Sequence, residues 1–172
     1  MIFETPRLAA RRFDPRDLAD FVAMRDDPEV ARYQSWERFT PEDGRRFIAE
    51  LARAEPGEPG WFQFALEERP SGRFVGDCGL FIDPADPRLA RVGYTIARPC
   101  WNRGFATEAV AGLVGYAFGS FGLHRVTASV DPRNLASCRV LEKAGFVKEA
   151  HFRKSEWFKG DWADDAIYAR LQ

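Results

Sequence analysis

Cysteine and histidine are scarce in this chain. There are 3 cysteines, Cys78, Cys100 and Cys138, and 2 histidines, His124 and His151. An odd cysteine count without a CxxC pair argues against a disulfide framework or a zinc site and fits a reducing cytoplasm. Each cysteine reads as a small buried hydrophobe rather than a nucleophile. The histidines stand too far apart for a metal cluster, so both read as structural or surface residues and no metal is expected. A basic tail or Lys/Arg block is also missing, and the net charge is −1. A nucleic-acid partner therefore has no electrostatic support. No apolar run approaches transmembrane length, and the opening MIFETPRLAARRF has no apolar signal core, so neither a membrane nor export is expected. Two nucleotide fingerprints are absent as well, the GxxxxGK[ST] phosphate loop and the GxGxxG dinucleotide turn.

What is present is an ordinary hydrophobic content, rich in Phe and Trp, over 172 residues. That length fits one domain, 1–172, able to bury a core without staples. Arg7–Phe13 reads as a strand. Asp17–Arg25 has helical spacing through Leu18, Phe21 and Val22, and Asp26-Asp27-Pro28 stops it. Thr40-Pro41-Glu42-Asp43 predicts a second helix start: a cap, a proline, then acids at the positive end. Three strands follow, Trp61–Glu68, Arg73–Ile82 and Arg88–Ala97, an antiparallel meander with a turn at Pro70-Ser71-Gly72. Val110, Leu113, Val114, Ala117, Phe118 and Phe121 mark one buried helix face, closed by Gly122. Arg125–Asp131 is a strand. Asn134 caps a helix to Lys143, Gly145 sits at its left-handed end, and two strand-like runs finish the chain. The order is strand, two helices, three strands, helix, strand, helix, two strands: an α/β pattern of α+β flavour with helices on both faces of one sheet.

The stretch WNRGFATEA, Trp101–Ala109, enters the longest helix through Gly104. A helix begun on glycine presents unpaired N–H groups at a positive dipole end, which suits a phosphate; the alternative is a plain strand-to-helix connection. Gly104 admits a close approach and Ala106 leaves the first turn uncrowded.

Together with NLASCRVLEKAGF (Asn134–Phe146), TPRLAARRF and SEWFKGDWADDAIYARL, this stretch resembles the GCN5-related N-acetyltransferase (GNAT) superfamily over nearly the whole chain. It is most similar to the RimJ/RimL-like branch that acetylates N-terminal amines of ribosomal proteins. The family's (Q/R)xxGx(G/A) loop maps onto Trp101, Gly104 and Ala106, with Trp101 departing from the general pattern. The resemblance implies a mixed, mostly antiparallel, splayed sheet of about seven strands. It implies acetyl-CoA as cosubstrate. The diphosphate would lie on backbone N–H groups of Asn102, Arg103, Gly104, Phe105, Ala106 and Thr107, with the Arg103 side chain at the rim. The pantetheine arm would run beside Tyr94, Thr95 and Ile96, and Asn134 would meet its amides.

Acetyl transfer to an amine needs a base, an oxyanion donor, a proton for the leaving thiolate, and positioning that supplies roughly 7–11 kcal/mol in favourable cases. An N-terminal amine, with a pKa of about 7.7–8.0, asks little of its base. A backbone N–H near Ile96 is the expected oxyanion donor. Many superfamily members carry a Tyr acid seven residues after the motif Asn; here that position is Leu141. By resemblance to the branch, Ser137 supplies the proton and Glu156 is the base. Apolar neighbours Phe152, Trp157 and Phe158 are expected to raise Glu156 toward useful values. Otherwise Ser137 is a first-turn helix residue and Glu156 a solvated strand residue. Glu108 is expected to stabilise its helix end, and Asp164 and Asp165 are read as turn acids. Trp36, Trp157 and Trp162 could wall the acceptor site or simply pack. The acceptor is a protein N-terminus on this reading. A small amine (aminoglycoside, polyamine or amino acid) and a non-catalytic CoA-binding module are the alternatives, and a homodimer is expected by analogy.

Overall fold

A computed structural model describes residues 1–172. The elements run β1 (Phe3–Glu4), β2 (Leu8–Arg11), α1 (Leu18–Arg25), α2 (Pro28–Ala31), α3 (Pro41–Leu51), β3 (Gly60–Glu68), β4 (Arg73–Ile82), β5 (Leu89–Ile96), α4 (Phe105–Phe121), β6 (Arg125–Val130), α5 (Leu135–Lys143), β7 (Val147–Phe158) and β8 (Asp161–Leu171). The strands form one sheet in the order β1-β2-β3-β4-β5-β6-β8-β7. All neighbours are antiparallel except β5 and β6. The expected mixed sheet is therefore present, with one strand more than expected because Phe3–Glu4 adds to the edge. No helix is long and apolar enough to cross a membrane.

The helix caps follow the sequence closely. Thr40 and Asp43 form a reciprocal capping box at α3. Asp27 caps the extra short helix α2, which begins where the helix stop was expected. Gly122 and Gly145 both take positive φ, at 62° and 84°, the conformation that ends α4 and α5. On one face of the sheet α4 lays down Val110, Leu113, Val114 and Ala117 against Phe64, Leu66 and Leu80, all essentially buried. Full burial of each of the larger aliphatic side chains is worth about 1.5–3 kcal/mol. On the other face α1 and α3 bury Phe21 and Met24 against Ala65 and Phe74, with Phe13, Phe39 and Phe47 packed around them. Strand parity therefore sorts the sheet. Cys78, Tyr94, Ala128, Ala166 and Tyr168 face α4 and α5, and Asp77, Thr95, Ser129 and Asp165 face the α1 side.

Asp164 and Asp165 are not turn acids. Both lie inside β8, whose turn is Lys159-Gly160. Between Phe152 and Glu156 the β7 strand carries extra residues relative to β8. Lys154 sits there at φ 46°, and its N–H donates to the Asp164 carboxylate at 2.9 Å. That anchor holds a bulge the sequence does not announce.

Candidate active site: a cleft between two parting strands

β5 and β6 pair only through Leu89–Arg91 and Arg125–Thr127. Beyond Arg91 no ladder joins them, and the gap opens into a cleft of about 660 Å3. Its lining includes Tyr94, Ile96, Gly104, Thr107, Asn134 and Ser137. One end of the cleft is the start of α4. Gly104 takes φ 79° and Asn102 φ 59°, so the chain turns sharply before the first helical residue. No side chain caps the helix, and Glu108 is the first residue whose N–H reaches a carbonyl, that of Gly104 at 3.1 Å. The N–H groups of Phe105, Ala106 and Thr107 are thus left pointing out of the helix end, an arrangement that receives a phosphate.

The loop is braced from the N-terminal strands. Glu108 accepts from Thr5 Oγ1 at 2.6 Å, from the Arg7 N–H at 2.7 Å and from Arg7 Nε at 2.6 Å. Arg7 Nη1 also donates to the Arg103 carbonyl at 2.8 Å, and its guanidinium lies over the Phe105 ring. Glu108 therefore fastens the helix end, as expected. Burial alone would raise its carboxyl, but the hydrogen bonds from Thr5 and Arg7 outweigh that and leave it below its ordinary value. The clasp is complete above that ordinary value and is lost as pH falls through the lowered one. Arg7→Ala is expected to raise the KM for acetyl-CoA roughly three- to tenfold with little change in kcat, read from initial rates. The Arg103 side chain pairs with Glu68 and lies over the Phe105 ring, at the surface beside the loop. Trp101, standing where the general motif has Gln or Arg, clips the loop to β5 through its indole N–H and the Ile96 carbonyl at 2.7 Å.

At the other end stands α5. Asn134 Oδ1 accepts the Ser137 N–H at 3.2 Å and so caps the helix. Ser137 Oγ lies 2.6 Å from the Tyr94 hydroxyl, which reaches the Ser137 carbonyl at 3.2 Å as well. Burial pushes the Tyr94 phenol up to about 12, against a smaller lowering by Ser137, so it keeps its proton at neutral pH. Tyr94 was expected only as a stretch of pantetheine-facing backbone. Its hydroxyl was missed because the Tyr94–Ser137 contact joins a strand and a helix 43 residues apart. Leu141 is buried and offers no proton.

The tail differs more from expectation. Glu156 and Trp157 are exposed, so the desolvating pocket foreseen for Glu156 is not there; β7 is the edge strand of the sheet and is exposed along nearly its whole length. Glu156 does not line the cleft. Trp157 packs edge-on against Trp162 across the hairpin. Trp36 belongs to a different cluster: its indole donates to the Arg25 carbonyl at 2.8 Å and the Arg25 guanidinium stacks on its ring. The three tryptophans form no common wall. The hairpin does reach across, because Lys159 Nζ donates to the carbonyls of Ala31 and Trp36 at 2.6 and 2.9 Å.

The acetyltransferase (GNAT) domain family model matches residues 7–147. The chain belongs to the GNAT acetyltransferase family. An uncharacterized N-acetyltransferase of Bacillus licheniformis, p20, is 30% identical over 168 residues, covering 98% of this chain and 94% of that protein. Among solved structures, a GNAT-family acetyltransferase from Bacillus anthracis is 27% identical with a TM-score of 0.90, covering 99% and 98% of the two chains. Mycobacterium smegmatis RimJ in complex with CoA-disulfide is 25% identical with a TM-score of 0.83, covering 95% and 81%. This GNAT protein is an acetyltransferase with acetyl-CoA as its cosubstrate.

Proposed function

We propose that this GNAT enzyme acetylates the N-terminal amine of a protein or peptide, in the manner of the ribosomal-protein branch. The observation that carries the transfer chemistry is one continuous cleft with free helix N–H groups and a serine–tyrosine hydroxyl pair along it. The likeness to RimJ supports the branch. Acetyl-CoA supplies the activated carbonyl and the leaving thiolate. The N–H groups of Phe105, Ala106 and Thr107 hold the diphosphate, and the unpaired edge of Tyr94, Thr95 and Ile96 aligns the arm. Ser137 gives its hydroxyl proton to the departing sulfur and is resupplied by Tyr94. Glu156 takes the proton lost by the acceptor amine. Its exposure links it to solvent, and an N-terminal amine needs no strong base. The cross-strand register puts Glu156 opposite Ala163, on the same face as Asp165.

The test is release of free thiol from acetyl-CoA against a panel of peptides with free Ala, Ser or Met N-termini and of small amines. Peptides are expected to be turned over with higher kcat/KM than the small amines; the reverse order would reject the assignment. In the same assay Ser137→Ala is expected to lower kcat by about ten- to a hundredfold, leaving KM for acetyl-CoA within about twofold.

A further inference from the structure

One carboxylate stands apart from the others. Asp165 is only 8% exposed. Asp77, Asp131 and Asp164 are each paired with Arg25, Arg133 and His151 respectively. Asp165 has no cation. Its Oδ1 accepts from Ser129 Oγ at 2.6 Å, and its Oδ2 accepts nothing from the chain yet is not sealed from solvent. A carboxylate held by one hydroxyl, with its second oxygen turned to solvent and no cation of the chain beside it, is placed to meet a cation from outside.

Its place in the fold says which one. Ser129 lies two residues beyond Thr127, the last residue of β6 that pairs with β5, so it flanks the opening between those strands. Asp165 and Ser129 face the α1 side of the sheet, whereas Ser137, Tyr94 and the start of α4 meet on the opposite face. Asp165 does not itself line the cleft; it stands one strand beyond the β6 edge of the gap, on the face from which an acceptor would approach a thioester held on the opposite side. Phe152 is the cross-strand partner of Asp165 and is half exposed, and Ile167 follows on the same face, so the carboxylate is flanked by apolar surface.

We propose that Asp165, oriented by Ser129, holds the ammonium group of the acceptor, and that Phe152 and Ile167 favour an apolar substituent beside that amine. This rests on the transferase reading above and narrows its acceptor to a cationic primary amine next to an apolar group. Asp165 is a specificity residue: it holds the ammonium at the mouth until deprotonation frees the amine to attack.

The test compares the parent protein with D165N, using an Ala-initiated peptide and 2-phenylethylamine as acceptors and 2-phenylethanol as a neutral competitor. D165N is expected to raise KM for both amines at least about tenfold, with acetyl-CoA KM and thermal midpoint little changed. The parent is expected to bind the amine at least about tenfold more tightly than the alcohol, and D165N to bind the two alike. An acceptor KM in D165N within twofold of the parent would overturn the proposal while leaving the transferase reading intact. Should D165N not fold, equal affinity of the parent for amine and alcohol overturns it. No transfer to any amine overturns both.

Discussion

Asp77→Ala is expected to cost about 3–5 kcal/mol of stability. Asp77 is fully buried in β4, and the guanidinium facing it belongs to Arg25, itself only 7% exposed. Arg25 Nη2 lies 3.1 Å from Asp77 Oδ2, and Gln63 Nε2 donates to the other oxygen at 2.9 Å. The guanidinium is boxed by the rings of Phe21, Trp36, Phe39 and Phe47, the nearest at 4.1 Å, and its Nε already has no partner. Removing the carboxylate leaves a charge with nothing but ring faces around it, and those offset only about 0.5–2 kcal/mol each. Replacing both members, Arg25→Met with Asp77→Leu, is expected to recover most of the loss, because a buried pair is worth little against well-packed apolar groups. Denaturant unfolding of the two singles and the double reads this directly. A single-variant loss below about 1 kcal/mol would show that solvent reaches the pair.

Gly76→Ala is expected to be nearly as damaging, by about 3 kcal/mol or more, and to weaken acetyl-CoA binding with it. A β-carbon there would sit 2.2 Å from the Thr95 carbonyl oxygen and 3.0 Å from the Ile96 α-carbon, at φ 155°. Both obstacles are backbone, so neither can swing aside. The ladder shifts at the same point: Val75 is the extra residue, and its carbonyl takes the Ala97 N–H. Relief must come from pushing β5 outward, and Tyr94–Ile96 is the stretch that lines the cleft. Gly119→Ala is the control. It lies in α4 with nothing within 4 Å and should stabilise by about 0.5–1 kcal/mol. Equal thermal midpoints for the two variants would contradict the crowding at Gly76.

The parts of the site that the sequence made legible are those written in neighbouring residues. The left-handed Gly104, the bare first turn of α4 and the Asn134 cap are local events, and the caps and periodicity that announce them need no knowledge of distant contacts. What stayed hidden depends on register between strands far apart in the chain. Asp165 looked like one of two acids in a turn, and only the pairing of β8 with β6 sends it, and not Asp164, into the sheet beside Ser129. The Glu156 environment was misjudged for the same reason. Apolar neighbours in sequence do not desolvate a strand residue when the strand is the sheet edge and nothing packs over it. Arg103 and Trp36 were assigned to the site by resemblance; their side chains are engaged by Glu68 and Arg25, both distant in sequence, and such contacts are not written in neighbouring residues.

The central claim is that the open first turn of α4 grips the diphosphate of coenzyme A. Isothermal titration of coenzyme A into the parent protein and into Gly104→Val tests it most directly. At φ 79° valine is strained, and its β-carbon points at Arg7 Nη2 only 3.3 Å away. The account predicts one saturable site per chain in the parent and an affinity at least about tenfold weaker in the variant, with unfolding still cooperative. An unchanged affinity in Gly104→Val, or no heat in the parent, would contradict it.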